Sequence, residues 1–380
     1  MAAVVGLALA LSAAVGVGKA AVGGSAAPQA SPLAKACGSK IVVQTDWYPE
    51  PEQGYLYELA GTNGTLDASH GHYDGTIKGT GVQLEIRAGG PYIAYDDPIA
   101  KIHEDSSITL GTASSDDVLQ NSGSLPVVSI VAPNEFSPLI LMWNPQKFPN
   151  VHHFADIKAT GAPVLVFPGG TYVNFLEGRG WISSSQVDTS YDGSPARFVS
   201  ADGGIFQQGY ITSEPYKYEH QISQYNKPVS YLLVRNAGYA PYSETLVARP
   251  QDVTAKAACF KLLVPLVQQA VVDYAKNPTP VNRKLEQIVT TMNTSWQLSP
   301  SADAYNTATQ LKYKIISNGS DCTLGNFSMN RLQVLINTVL PIYKAQGLST
   351  ANPNVKPSDV ATNRFVKPAI GLPAKGCPKR

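Results

Sequence analysis

The sequence predicts an α/β protein built as two lobes. Three observations lead there. β-Branched or alternating apolar runs, separated by turns and short helical segments, recur from Lys40 to Pro133. The same alternation restarts at Pro163 and runs to Val234. From Pro250 onward the apolar residues fall at helical spacing instead. Strands alternating with helices imply mainly parallel sheets with helices packed on them. A chain of 380 residues, 43 % of them hydrophobic, is long enough to bury two cores.

In chain order, Ile41-Val42-Val43-Gln44 is a buried strand, Asp46–Gly54 a Pro-rich loop, and Tyr55–Ala60 a short helix stopped by Gly61. Val82–Ile86, Ile108–Gly111 and Pro126–Pro133 read as three further strands. Ser115–Gln120 opens a helix with Asp116 and Asp117 in its first turn, where the helix dipole favours acids. In the second half Pro163–Phe167, Ala196–Val199, Gly209–Thr212 and Ser230–Val234 read as strands, and Gly169–Tyr172 leads into a helix ending near Gly178. Ala255–Ala275, Asn282–Met292, Ala302–Lys312 and Asn326–Ala345 read as helices, followed by a Pro-rich tail from Asn352.

Met1–Val17 is a nearly unbroken run of small apolar residues, followed by Ala- and Ser-rich sequence to Ala36. It reads as the apolar part of an export signal plus linker (1–36), although no basic residue precedes it. Small-residue cleavage positions follow Ala21 and Ala27. The alternative is a permanent anchor helix. No other apolar stretch approaches a membrane span in length. Charged residues make up 15 % of the chain and the formal net charge is +1, which gives no electrostatic reason for a nucleic-acid partner.

The four cysteines lie at 37, 259, 322 and 377, none in a C-x-x-C pair. In an exported chain they imply two disulfides, with three possible pairings. The expected pairing is Cys259 with Cys322 and Cys37 with Cys377, the second stapling both ends of the folded region. Cys37 in Ala36-Cys37-Gly38-Ser39 also admits a lipidated N-terminal cysteine. Four Asn-x-Ser/Thr sequons, at Asn63, Asn293, Asn318 and Asn326, matter only in a glycosylating host.

Asp46-Trp47-Tyr48-Pro49-Glu50-Pro51, after the first strand and before Gly54-Tyr55-Leu56-Tyr57, resembles the opening motif of nitrate/sulfonate/taurine-type solute-binding proteins, above all the branch that binds the pyrimidine precursor of thiamine. Leu110–Asp116 resembles the family's small-residue loop after the third strand. Phe154–Lys158 resembles the start of its second lobe, and Pro168–Tyr172 its helix start there. The chain departs from the pattern at Gln53, where the family has His, and at Asn63–Lys78, Gly- and His-rich where the family has a helix.

The resemblance covers Lys40 to Pro250. It implies a two-lobed type II periplasmic-binding-protein fold with two inter-lobe crossings and extra C-terminal helices. Lobe one would be 37–133 plus 231–380, and lobe two 134–230. The implied role is extracytoplasmic capture of a small molecule for an ABC importer, as a monomer, with a permease and an ATPase as partners and with no cofactor or catalysis. The chain would meet the membrane only through its N-terminus.

The candidate binding residues follow from position. Trp47 and Tyr48 stand at the carboxyl end of the first strand, where α/β sheets bind ligands, and their faces can stack on a planar heterocycle. The alternative is core for Trp47 and turn for Tyr48. Ser114 and Ser115 open a helix and either face the cleft or simply cap it. Gly170, Thr171 and Tyr172 lie at a helix N-terminus that suits a ligand oxygen, with capping by Thr171 the alternative. Glu214, with Glu50 and Asp46, offers carboxylates to an amino group or a cationic ring. None of these segments carries Arg or Lys, which points away from nitrate or sulfonate and towards a nitrogen heterocycle such as an aminopyrimidine.

Asp67, His70, His72 and Asp74 contain metal-ligating residue types, as does His152-His153, but a Gly-spaced loop of this kind more often faces solvent. Three other functions stay open: the same fold binding a sulfonate- or nitrate-type anion, a ligand sensor on that fold, and an enzyme of pyrimidine synthesis, whose fungal forms in the resembled branch use a Cys-rich motif not found here.

Overall fold

The computed structural model describes residues 30–374 and Cys377. The apolar leader and both cleavage positions lie outside the described residues. Helix α1 (Pro32–Cys37) is capped by Ser31, whose hydroxyl accepts from the Ala34 amide. The expected linker to residue 36 thus includes an ordered turn and a half, because Leu33 is buried in the first core.

Along lobe one follow β1 (Lys40–Gln44), α2 (Gly54–Ala60), β2 (Thr65–Asp67), β3 (His72–Thr76), β4 (Gln83–Arg87), α3 (Pro98–Glu104), β5 (Leu110–Ala113), α4 (Ser115–Gln120) and β6 (Val128–Asn134). Lobe two holds β7 (Leu139–Trp143), α5 (Phe154–Thr160), β8 (Val164–Leu165), α6 (Thr171–Gly178), β9 (Val187–Asp188), α7 (Ala196–Ser200), β10 (Phe206–Tyr210), α8 (Glu214–His220) and β11 (Ser230–Leu233). The chain returns with β12 (Glu244–Ala248). It ends with α9 (Pro250–Ala255), α10 (Ala257–Lys276), α11 (Thr279–Met292), α12 (Pro300–Lys312), α13 (Met329–Ala345) and α14 (Pro357–Val360).

Sheet one has the order β2-β3-β4-β1-β5-β12-β6 and sheet two the order β11-β7-β10-β8-β9. β1 is parallel to β4 and β5, whereas β12 runs antiparallel to β5 and β6. The chain crosses between sheets after β6 and again before β12, which gives the two crossings. β11 pairs with β7 through Leu233, so sheet two extends past the residue-230 boundary.

Four local readings are corrected. Ala196–Val199 lies in the helix α7, not in a strand; Pro195 precedes it, and four residues are too few to distinguish the two periods. Asn63–Lys78 contains a β-hairpin that extends sheet one, with Tyr73 buried beneath it. Leu139–Trp143 and Glu244–Ala248 are further strands beyond those expected. Helix α10 is apolar and long enough to cross a membrane by composition, yet Phe260, Leu263, Val267 and Val271 are buried in the core beneath sheet one.

The disulfides are Cys37–Cys259 and Cys322–Cys377, not the expected pairs. Helix α1 packs along α10 and so brings Cys37 beside Cys259. The tail crosses the 318–324 turn, where Asn318 exchanges two 2.8 Å hydrogen bonds with the Leu372 backbone, and this sets Cys377 beside Cys322. With its sulfur joined to Cys259, Cys37 has no thiol left for a lipid.

Candidate functional site

Between the lobes lies a cavity of about 130 Å³. The loop after β1 supplies Asp46, Trp47, Glu50 and Glu52, and the crossings supply Asn134, Pro138, Ser243 and Glu244. Lobe two supplies Phe167, Tyr191, Gln208, Tyr210, Glu214 and Lys217. Trp296 and helix α12, with Asp303 and Asn306, complete the wall. Ligand sites of α/β sheets lie beyond the carboxyl ends of their strands, and β1 and β10 both end here.

One wall is aromatic. Trp47 meets Phe167 of lobe two at 6.0 Å between ring centroids and Trp296 edge-on at 6.0 Å. Trp296 in turn stacks on Tyr48, with rings 5.7 Å apart and 3° from parallel. The Lys217 ammonium sits 3.9 Å over the Trp296 ring, a cation–π contact.

The rest of the lining is acidic. It holds six carboxylates, Asp46, Glu50, Glu52, Glu214, Glu244 and Asp303, against one lysine, Lys217. Most are held in place by donors. Asn306 Nδ2 donates to both Glu52 oxygens at 2.9 Å, and Gln310 supports Asn306 at 2.7 Å. Tyr55 donates to Glu244 Oε1 at 2.8 Å, and Gln53 and Thr112 each donate to Asp46 Oδ1 at 2.9 Å. The Tyr210 amide donates to Glu214 Oε2 at 2.6 Å.

Glu50 and Asp303 differ. Among the described residues nothing donates to the Glu50 carboxylate, and Asp303 Oδ2 is fully buried without a partner. Glu50 is 8 % exposed. Burial pushes its carboxyl well above the usual carboxylate range, and the charges of Glu52 and Asp46 add to the rise. Burial likewise raises Glu244, with Asp46 adding to it while the Tyr55 hydroxyl opposes. Asp303 is raised by burial and by Glu286 beside it. Solvent reaches Asp46 through the cavity, yet the surrounding protein still raises its carboxyl, with Thr112 opposing.

The structure brings Trp47, Glu50 and Glu214 together with Asp46 in one cavity. It does not bring the other expected residues to the lining. Tyr48 stands behind Trp296 as its stacking partner. Ser114 caps α4, with its hydroxyl in reach of the Asp116 and Asp117 carboxylates, and the Ser115 hydroxyl accepts from the Tyr242 amide. Thr171 is spent on Gln120 and Tyr343, and Gly170 precedes it at the helix start. Tyr172 acts one step removed, donating at 2.8 Å to Gln208 Oε1, and Gln208 lines the cavity. The expectation of no Lys or Arg near the ligand is corrected by Lys217, which α8 carries one turn after Glu214. Asp67 and His70 pair with each other at 2.8 Å on the exposed hairpin, while Asp74 lies 3.6 Å from Lys40.

Neither a protein-family model nor a curated protein matches the chain. Solved structures do resemble it. The alkanesulfonate-binding protein SsuA of Xanthomonas axonopodis pv. citri, bound to MOPS, aligns over 85 % of this chain and 99 % of its own, at 12 % identity and a TM-score of 0.53. The periplasmic aliphatic sulphonate-binding protein SsuA of Escherichia coli aligns over 90 % and 96 %, at 12 % identity and a TM-score of 0.52. A sulfonate ABC transporter periplasmic binding protein of Methylobacillus flagellatus aligns over 86 % and 92 %, at 11 % identity and the same TM-score. At such identities the likeness establishes architecture alone, and that architecture is the two-lobed α/β fold of periplasmic binding proteins.

Proposed function

We propose that this chain is an exported, non-catalytic solute-binding protein that encloses a small nitrogen-bearing cation or aminoheterocycle between its lobes and passes it to the permease and ATPase of an ABC importer. The observation that carries the ligand class is the lining of six carboxylates against one lysine, with the Glu50 carboxylate and Asp303 Oδ2 lacking a protein donor among the described residues. A buried carboxyl without a donor is costly to ionise, and a protonated or amino nitrogen supplies the missing donor. The Trp47 face beside it suits a flat ring such as an aminopyrimidine, by stacking or cation–π attraction. The fold supports capture by hinge closure. Two disulfides support an oxidising compartment. The chain works as a monomer, with no lipid on Cys37.

One observation favours a second reading. Lys217 faces the same cavity, and the similar structures include proteins named for binding sulfonates. An anion held by Lys217 is therefore the competing ligand.

A thermal-shift screen separates the two. Aminopyrimidines, small amines and thiamine form one arm, and taurine, alkanesulfonates and nitrate form the other. A ligand that binds only the folded chain raises its melting temperature by mass action. The expected hit is in the nitrogen arm and is lost in Trp47→Ala. A hit confined to the sulfonates discards the ligand class and keeps the binding protein.

A further inference from the structure

The two crossings are the only covalent paths between the sheets among the described residues, and one side chain carried on neither of them grips both. Arg331 lies in the first turn of α13. Its Nη1 donates to Glu135 Oε1 at 2.9 Å, and its Nη2 donates to the Glu135 carbonyl at 2.8 Å. Both acceptors are on the first crossing. The same Nη2 donates to the Pro241 carbonyl at 2.8 Å, and Nε donates to the Ala240 carbonyl at 2.9 Å, both on the second crossing. The guanidinium lies 3.9 Å over the Tyr242 ring and 4.8 Å from the Phe136 ring, one aromatic from each crossing.

The seating of Arg331 is fixed from its own side as well. Its backbone amide is capped by Ser328, and the Ser328 amide donates to the Tyr242 hydroxyl oxygen at 2.8 Å. The residues of the crossings divide between two faces. Asn134, Pro138, Ser243 and Glu244 line the inter-lobe cavity, whereas Glu135, Phe136 and Tyr242 join Arg331 around a separate hollow of about 420 Å³. The grip is therefore applied away from the ligand. A planar guanidinium reaches several carbonyls at once, which a single ammonium cannot do.

We propose that Arg331 is the hinge clamp of this molecule, a positioning residue that makes the two crossings bend as one and so sets the angle through which the lobes close. The clamp acts on the crossings whatever ligand the cleft takes. A change made on one crossing is then felt on the other through Arg331.

Amide hydrogen exchange on the full chain tests this with two variants. Arg331→Lys keeps the charge and loses the fork. It speeds exchange at both 135–137 and 239–243 by about tenfold or more, while the amides of β1 and β5 keep their rates. Glu135→Gln touches only the first crossing directly, yet it speeds exchange at 239–243 by a few-fold, because the guanidinium loses its ionic anchor. An Arg331→Lys chain with both crossings unchanged overturns the clamp. So does a Glu135→Gln effect confined to 135–137. If Arg331→Lys does not fold, the second variant decides alone.

Discussion

Glu50 shows how much of the binding chemistry rests on single side chains. Its carboxyl is buried without a protein donor and its pKa is raised, so ionising it in the empty protein is costly, and a cationic ligand would relieve that cost. Glu50→Gln removes the ionisable group and keeps the shape. In urea unfolding above the raised pKa the variant is more stable than the wild type by about 1–3 kcal/mol, the cost of an ionised group held without a donor, and its affinity for a cationic ligand falls at least about tenfold. Loss of stability in Glu50→Gln would mean that the carboxylate is already satisfied.

The same acids set a pH dependence. Glu50, Glu244 and Asp303 have folded pKa values raised above the unfolded ones, chiefly by burial. The folded chain then holds protons that the unfolded chain has released. The stability these three acids contribute without ligand is fully present below the ordinary carboxylate pKa of about 4.3 and is lost as pH rises from there through the raised values. A cation prefers the ionised carboxylates, so its binding expels protons and tightens over the same interval. Calorimetry in two buffers of different ionisation enthalpy reads that proton release, and a heat independent of buffer would contradict it.

Of the residues named from sequence, Trp47, Glu50 and Glu214 reach the cavity because each follows a strand end or opens a helix that faces the cleft. Ser114, Ser115, Gly170, Thr171 and Tyr172 occupy equally suggestive positions, but local capping and packing consume their polar atoms. Strand-end position alone cannot separate those two fates.

At the scale of elements, the C-terminal helices do more than fill out the first lobe. Asp303, Asn306, Thr307 and Gln310 form a buried polar stripe on α12, and two of them line the cavity. That stripe, polar where an amphipathic helix should be apolar, was readable at the 3.6-residue period. Glu214 and Lys217, one turn apart on α8, were readable too. Trp296 was not, because nothing local marks a loop residue that packs about 250 positions from its partners. Helix α2 is held by a close approach in which a Cβ on Gly54 would stand 2.2 Å from the Tyr274 ring. Gly54→Ala therefore pries α2 from α10 and costs about 1–3 kcal/mol by overpacking. An unchanged melting curve would show that the ring can move aside. Removing the Cys37–Cys259 bridge by Cys→Ser at both positions costs about 2–5 kcal/mol in the same assay. It also frees α1, and protease resistance retained at residues 31–37 would contradict that.

For the whole molecule, the two-lobed topology was legible because strand-and-helix alternation repeats twice and then gives way to helices. Disulfide pairing and the edge hairpin were not, since both depend on which elements become neighbours in space. The lobes already touch through more than the crossings. Tyr305 donates to the Ile211 carbonyl at 3.0 Å, and Tyr231 and Tyr313 share a hydrogen bond of 3.0 Å. These contacts favour closure, and on the proposed reading the ionised acids of the cleft oppose it until a cationic ligand neutralises them.

The central claim is that acidity, not fold likeness, decides what this cleft takes. Isothermal titration of the wild-type chain with a 4-aminopyrimidine and with an alkanesulfonate of similar size tests it most directly. The account predicts saturable binding of the aminopyrimidine, abolished in Trp47→Ala and weakened in Glu50→Gln, with no heat from the sulfonate. Saturable binding of the sulfonate alone, lost in Lys217→Ala and unaffected by Glu50→Gln, would contradict it.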